Sequence, residues 1–148
     1  MTSPTTARDV MQSTIETALA ADPITTGIIR QFDNFKVDPP EGVDAEGRAV
    51  PYIRTTVRHA GGTQETLGNV GNRRYDSTGV LTVQIFTAPG DGHALSDTIV
   101  PIVRTAMQAL RSANGVWLGE ISPPIEIGIT GAWFQVNVTA AFTYEEVA

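Results

Sequence analysis

The chain has no cysteine. Disulfides and thiolate metal sites are therefore excluded, although the absence says nothing about compartment. Lysine is nearly missing too: Lys36 is the only one, and arginine supplies the other cations. No stretch approaches the roughly 20 consecutive apolar residues that a membrane helix needs. The opening residues MTSPTTARDV lack the charged-then-apolar form of a signal peptide. Charged residues make up 18%, well below the globular average, and the hydrophobic fraction of 41% is slightly below it. The expectation is a protein made and kept in a cytoplasm, or built into a particle there.

What is present suits one domain of 148 residues with a real core. The net charge of −6 disfavours the basic footprint of a nucleic-acid binder. Charge is unevenly spread. Residues 41–80 hold five arginines against five acids, and residues 81–148 hold two against six. Arginine persists at protein interfaces because its planar fork is weakly hydrated and pairs bidentately. An arginine-only middle with an acidic remainder suits head-to-tail self-association; the plain alternative is a solvated surface with a compositional bias.

Ala7, Met11, Ile15, Ala18 and Leu19 recur at helical spacing. They predict a first helix capped by Thr5 or Thr6 and ended near Ala21 by Asp22-Pro23. Residues 24–37 are mixed, and a short strand or a helical turn both fit. Residues 38–48 form an acidic, Gly/Pro-rich loop that reads as exposed. From Pro51 to His59 the chain alternates, with Ile53, Thr55 and Val57 on one face and Arg54, Thr56 and Arg58 on the other. Gly61-Gly62 predicts a turn, Thr63 to Leu67 a short returning strand, and residues 68–74 a basic connection.

The stretch Tyr75–Gly92 is the organising one. Asp76-Ser77-Thr78-Gly79 reads as turn-prone, Val80 to Thr87 as a strand, and Pro89-Gly90-Asp91-Gly92 as the stop before the main helix. Apolar residues on both faces of Val80–Thr87 place it centrally in its sheet. Residues 94–112 carry the main helix, with Leu95, Ile99, Ile102, Val103, Ala106 and Leu110 buried and Met107 beside them. Pro101 interrupts that pattern and predicts a kink or a separate first turn. Strands follow at 116–121 and 125–129. The last, Trp133 to Tyr144, has the cleanest alternation, with Phe134, Val136, Val138, Ala140, Phe142 and Tyr144 on one face. The fold class expected is α+β, a mostly antiparallel sheet with two main helices packed on one face.

Chemistry is sparse. Asp91, His93 and Asp97 are spaced to offer metal donors, but acids near a helix start are ordinary capping residues, so no metal and no cofactor is expected. There is no GxxxxGK[ST], GxGxxG or GxSxG pattern. Glu145 and Glu146 point to opposite faces of a strand and make a poor acid/base pair. Asn137-Val138-Thr139 matches a glycosylation triplet by coincidence.

The chain order, together with Arg74, Gly79, Val80 to Thr87, Pro89, Gly90 and Gly92, and the closing strand from Trp133 to Tyr144-Glu145, resembles the tail terminator proteins of long-tailed bacteriophages, also called minor tail or tail completion proteins. The resemblance covers roughly residues 5–146 and is one of pattern and order. Pro101 and the loop at 38–48 depart from it. It implies a single, non-enzymatic domain over residues 1–148. That domain would form a homo-oligomeric, hexameric ring at the head-proximal end of the tail, part of the virion and assembled in the host cytoplasm. The ring caps the tail tube protein, ends tube polymerisation and presents a surface to the head-side connector protein. DNA passes through without specific binding, and no membrane is involved. On this reading Arg54, Arg58, Arg73 and Arg74 are the expected subunit or tail-tube contacts. The alternatives are a head-tail connector or stopper ring, and a small cytoplasmic ligand- or metal-binding domain using Asp91, His93 and Asp97.

Overall fold

The computed structural model describes residues 2–32, 50–90, 93–110 and 115–147. The order is α1 (Pro4–Ala21), β1 (Ile29–Phe32), β2 (Tyr52–Gln64), β3 (Arg74–Thr87), α2 (Ala94–Leu110), β4 (Val116–Ile121), β5 (Ile125–Thr130) and β6 (Trp133–Val147). One sheet runs β1-β2-β3-β6-β4, with β5 also on β6. β1 lies parallel to β2 and every other pairing is antiparallel. The fold is therefore α+β with a mostly antiparallel sheet, as the patterning predicts.

α1 starts one turn earlier than expected. Ser3, not Thr5 or Thr6, is the cap, and its side chain accepts from the Thr6 N–H at 3.1 Å. Pro4 follows at the first position, where its missing N–H costs nothing. The stripe Ala7, Met11, Ile15 and Leu19 is fully buried. At the far end the Thr25 hydroxyl donates to the Leu19 carbonyl, one of the orphans of the last turn. Arg30 pins the following turn: its Nε meets both Glu16 oxygens at 2.9 Å, and one Nη donates to the carbonyls of Thr25, Thr26 and Ile28. That network resolves the mixed segment as a turn followed by a four-residue strand. Phe35 and the acidic loop at 38–48 lie outside the described residues.

The Gly61-Gly62 turn is not formed. β2 runs through both glycines, with a register slip between His59 and Gly61, and pairs with β3 as far as Gln64. The turn of this hairpin lies at residues 65–73 instead. Asp76 to Gly79 are likewise strand, not turn, because β2 on one side and β6 on the other hold their backbones. Pairing of this kind overrides local turn preference. β3 is thus longer than its apolar run, and it is central, as its two-sided pattern predicts.

α2 continues without a break through Pro101. Pro101 and Asp97, whose carbonyl loses its usual partner, both face outward. Water can serve that carbonyl, so the helix tolerates the ring. The buried stripe is Ser96, Ile99, Val100, Val103, Ala106, Met107 and Leu110, rotated slightly from the expected one, with Leu95 and Ile102 at its margin. The helices run antiparallel. α1 begins near the end of β6, where the Thr2 N–H donates to the Glu145 carbonyl; α2 begins at the opposite end, where His93 packs on Phe134.

Both helices pack on one sheet face. Ile53, Val57, Leu81, Val83, Ile85, Val136, Val138, Ala140 and Phe142 point into that layer and are buried. β4 and β5 are two pieces of one edge strand. They pair with successive parts of β6, interrupted by Ser122-Pro123-Pro124 and by further slips between Leu118 and Ile121 and between Glu126 and Gly128.

His59 gives a test of this packing. Its ring sits edge-on to Phe142 at 5.5 Å and to Tyr144 at 5.7 Å, with part of it still in water. Burial lowers its pKa below the ordinary 6.5, and the Arg8 cation lowers it further. The unfolded chain therefore takes up this proton more readily. Its contribution to stability is full above pH 6.5 and is lost as pH falls through the lower folded value. Thermal melts should show stability falling from pH 7 to 5, and His59→Gln should flatten that slope. An unchanged slope in the variant would refute the assignment.

Candidate functional site

The sheet face opposite the helices carries the predicted contact residues. Its rows follow from the register. Tyr52, Phe86 and Gln135 form one; Arg54, Gln84, Asn137 and Ile125 the next; then Thr56, Thr82 and Thr139; then Arg58, Val80 and Ala141. These four rows contain two arginines and no acid; two rows further on, Asp76 and Glu145 lie side by side on the same face. Among the described residues no helix packs on this face.

Arg54 is built in. Tyr52 and Phe86 stack with centroids 4.2 Å apart, and the guanidinium lies over both rings, at 5.8 Å and 5.7 Å. Trp133 closes the cluster edge-on to Tyr52 at 5.3 Å and donates its indole N–H to the Val50 carbonyl at 2.9 Å. Burial raises the Tyr52 pKa, partly offset by the Arg54 charge. The cluster thus fixes one cation in place. Arg58, four residues on, projects freely into solvent.

Arg73 and Arg74 lie elsewhere, at the tip of the β2–β3 hairpin. Arg73 Nε donates to the Gly68 carbonyl at 2.9 Å, which shapes the turn. Arg74 opens β3; its N–H goes to the Thr66 hydroxyl and its side chain pairs with Glu145 at 3.6 Å. Both partners of that pair are half exposed, so it adds little stability. The four arginines therefore make two pairs, not one patch. From Arg54 to the hairpin end, about ten residues of strand span roughly 33 Å.

Sequence reasoning missed three features here. The aromatic cluster joins residues far apart in the chain, with no local signal. The hairpin tip carries Leu67, 99% exposed, and Val70, 84% exposed. An open groove of about 730 Å³ runs between the outer faces of α1 and α2, lined by Thr14, Thr17, Ala18, Pro101, Thr105 and Ala109 among others. The small residues read as plain helix packing, and only the paired helices show that they leave a trough.

The metal candidates do not converge. His93 takes the helix-cap position: its carbonyl accepts from the Asp97 N–H at 2.8 Å and the Ser96 hydroxyl at 3.1 Å. Its ring faces Phe134 at 5.2 Å, with Glu126 at 3.9 Å. Asp91 lies outside the described residues. Among the described residues no group of three His, Cys, Asp or Glu side chains is placed to hold a metal.

The fold and these surfaces define an α+β domain with helices on one side of its sheet. No protein-family model matches the chain, and no curated protein matches it. Its fold is similar to that of 31 solved chains. One of them, labelled only by a sequence identifier, is 18% identical with a TM-score of 0.53, over 95% of this chain and 97% of that one. At that identity the likeness concerns the fold alone.

Proposed function

We propose that this chain is a structural subunit of a phage or phage-like tail, forming a ring that caps the tail tube and offers a surface to the head-side connector. The observation that carries the reading is that the domain has two unlike sides. The helix-free sheet face bears Arg54 and Arg58 in its central rows, with its acids, Asp76 and Glu145, confined to the hairpin end. The helix side has Arg8, Arg30 and Arg104 against Asp9, Glu16, Asp22 and Asp97, with Arg30 paired to Glu16. Two different, complementary surfaces on one chain suit heterologous contacts that close into a ring. The pattern resemblance from Arg74 to Gly92 and from Trp133 to Glu145 supplies the tail context.

Electron microscopy of the protein mixed with its cognate tail tubes tests this. The expected result is tubes of regulated length with a ring at one end. Tubes that grow on uncapped would refute it. Pull-down against portal and tube proteins distinguishes the stopper-ring alternative, which predicts binding to head-side components only.

A further inference from the structure

We infer that the β2–β3 hairpin tip of one copy docks in the α1–α2 groove of the next. This takes from the proposed function only that the chain associates head to tail; no tail tube is required. The tip is an apolar pair with nowhere to go. Leu67 and Val70 are almost wholly in solvent, and every residue from Arg58 to Arg73 except the last is exposed. Solvent-facing leucine and valine on a projecting tip are the kind of surface that a partner covers.

The groove is the matching concavity. Its floor and walls are small or apolar: Ala18, Ala106 and Ala109 with Pro101 and Ile102. Between Ser13 and Asp22 it is about 13 Å long, since a helix rises roughly 1.5 Å per residue. A two-stranded tip, with strands about 4.8 Å apart, fits within that length. Charge agrees with the match. Arg73 keeps its Nη atoms beside the tip, and Asp22 lines the groove while Asp97 lies one turn before Pro101 on α2.

The same chain cannot satisfy itself. α1 starts at the hairpin end of the sheet, where Thr2 meets Glu145 and Glu145 pairs with Asp76. The groove begins ten residues further along, about 15 Å away from that end. The tip points the other way, beyond the sheet. Only a second copy can bring tip and groove together, and tip and groove are different surfaces, so the contact is heterologous.

The chain has no cysteine, so single-cysteine variants report contacts cleanly. Leu67→Cys mixed with Ala109→Cys should form a disulfide heterodimer about tenfold faster, or more, than Leu67→Cys mixed with Thr143→Cys on the open face, because docking raises effective concentration. In parallel, Leu67→Asp with Val70→Asp should shift the wild-type oligomer to monomer in sedimentation, with an unchanged melting temperature. Equal rates for the two mixtures, a dominant Leu67→Cys homodimer, or wild-type protein that stays monomeric at its highest soluble concentration would each overturn the inference. Any of these leaves tube capping to be judged by microscopy. Cross-links between tip and groove without capping would instead keep the inference and remove the proposed function.

Discussion

Gly79→Ala should destabilise the protein by about 3 kcal/mol, the upper end of what overpacking a tight site costs. For a domain of this size that is a fall in melting temperature of about 6–12 °C. A Cβ at Gly79 would run into the Arg58 carbonyl oxygen and into Cζ and Cε1 of Phe142. The carbonyl belongs to the β2–β3 ladder and cannot retreat without breaking it. Phe142 is completely buried, with no room to swing away. An aromatic ring lying over a strand glycine restores the packing that the missing side chain forgoes. Gly61→Ala is the control. It sits in the same hairpin, has open space around its Cβ, and should change stability by less than about 1 kcal/mol. Denaturant unfolding of the two variants measures the difference. If Gly79→Ala melts like the wild type, the account of the β2–β3–β6 packing is wrong.

On the proposal that Arg54 and Arg58 meet the tail tube, reversing both charges, Arg54→Glu with Arg58→Glu, should abolish capping of tail tubes and weaken binding to them by about a hundredfold or more. Like charges placed across an interface cost several kcal/mol, and each 1.4 kcal/mol is tenfold in affinity. The fold should survive. Arg58 is in solvent, and the loss at Arg54 is mainly its two cation–π contacts, each worth about 1 kcal/mol or less. Arg54→Lys with Arg58→Lys keeps the charge but loses the planar fork, and should fall between the two. Binding titrations at two salt concentrations make the comparison, since a contact of this kind weakens as salt rises. Full capping by the glutamate variant would show that the open face is not the tube contact.

Much of this was legible in the sequence. The helical stripe from Ala7 to Leu19, the central place of Val80 to Thr87, and the alternation from Trp133 to Tyr144 all follow from periodicity, and periodicity reports which side of an element is buried. Arg54 and Arg58 share a face for the same reason. The failures are at Gly61-Gly62 and Asp76 to Gly79, where glycine and polar residues mimic a turn. There the chain is held by strands on either side, and one of them, β6, lies more than 60 residues away in the sequence. Nothing local announces that Gly79 is needed under Phe142. The hairpin tip is hidden because Leu67 ends a run that reads as a returning strand, residues 68–74 read as a basic connection, and neither Leu67 nor Val70 has a periodic partner. The groove escaped for another reason: it belongs to the space between two helices and to no single run of residues.

The interrupted edge strand has a consequence for solubility. A chain that associates head to tail, as proposed above, risks doing so instead through its sheet margins, which offer bare backbone donors and acceptors to any extended chain. On one margin, Pro123-Pro124 and two register slips break β4 and β5 into pieces too short and too bent to template another strand. On the other, β1 covers only Tyr52–Thr55 of β2, and the register slip between His59 and Gly61 breaks the edge that β2 then presents as far as Gln64. Strand addition is thereby hindered at both borders by bends and slips, which favours meetings through faces and projections, whose contacts can form, dissociate and be corrected.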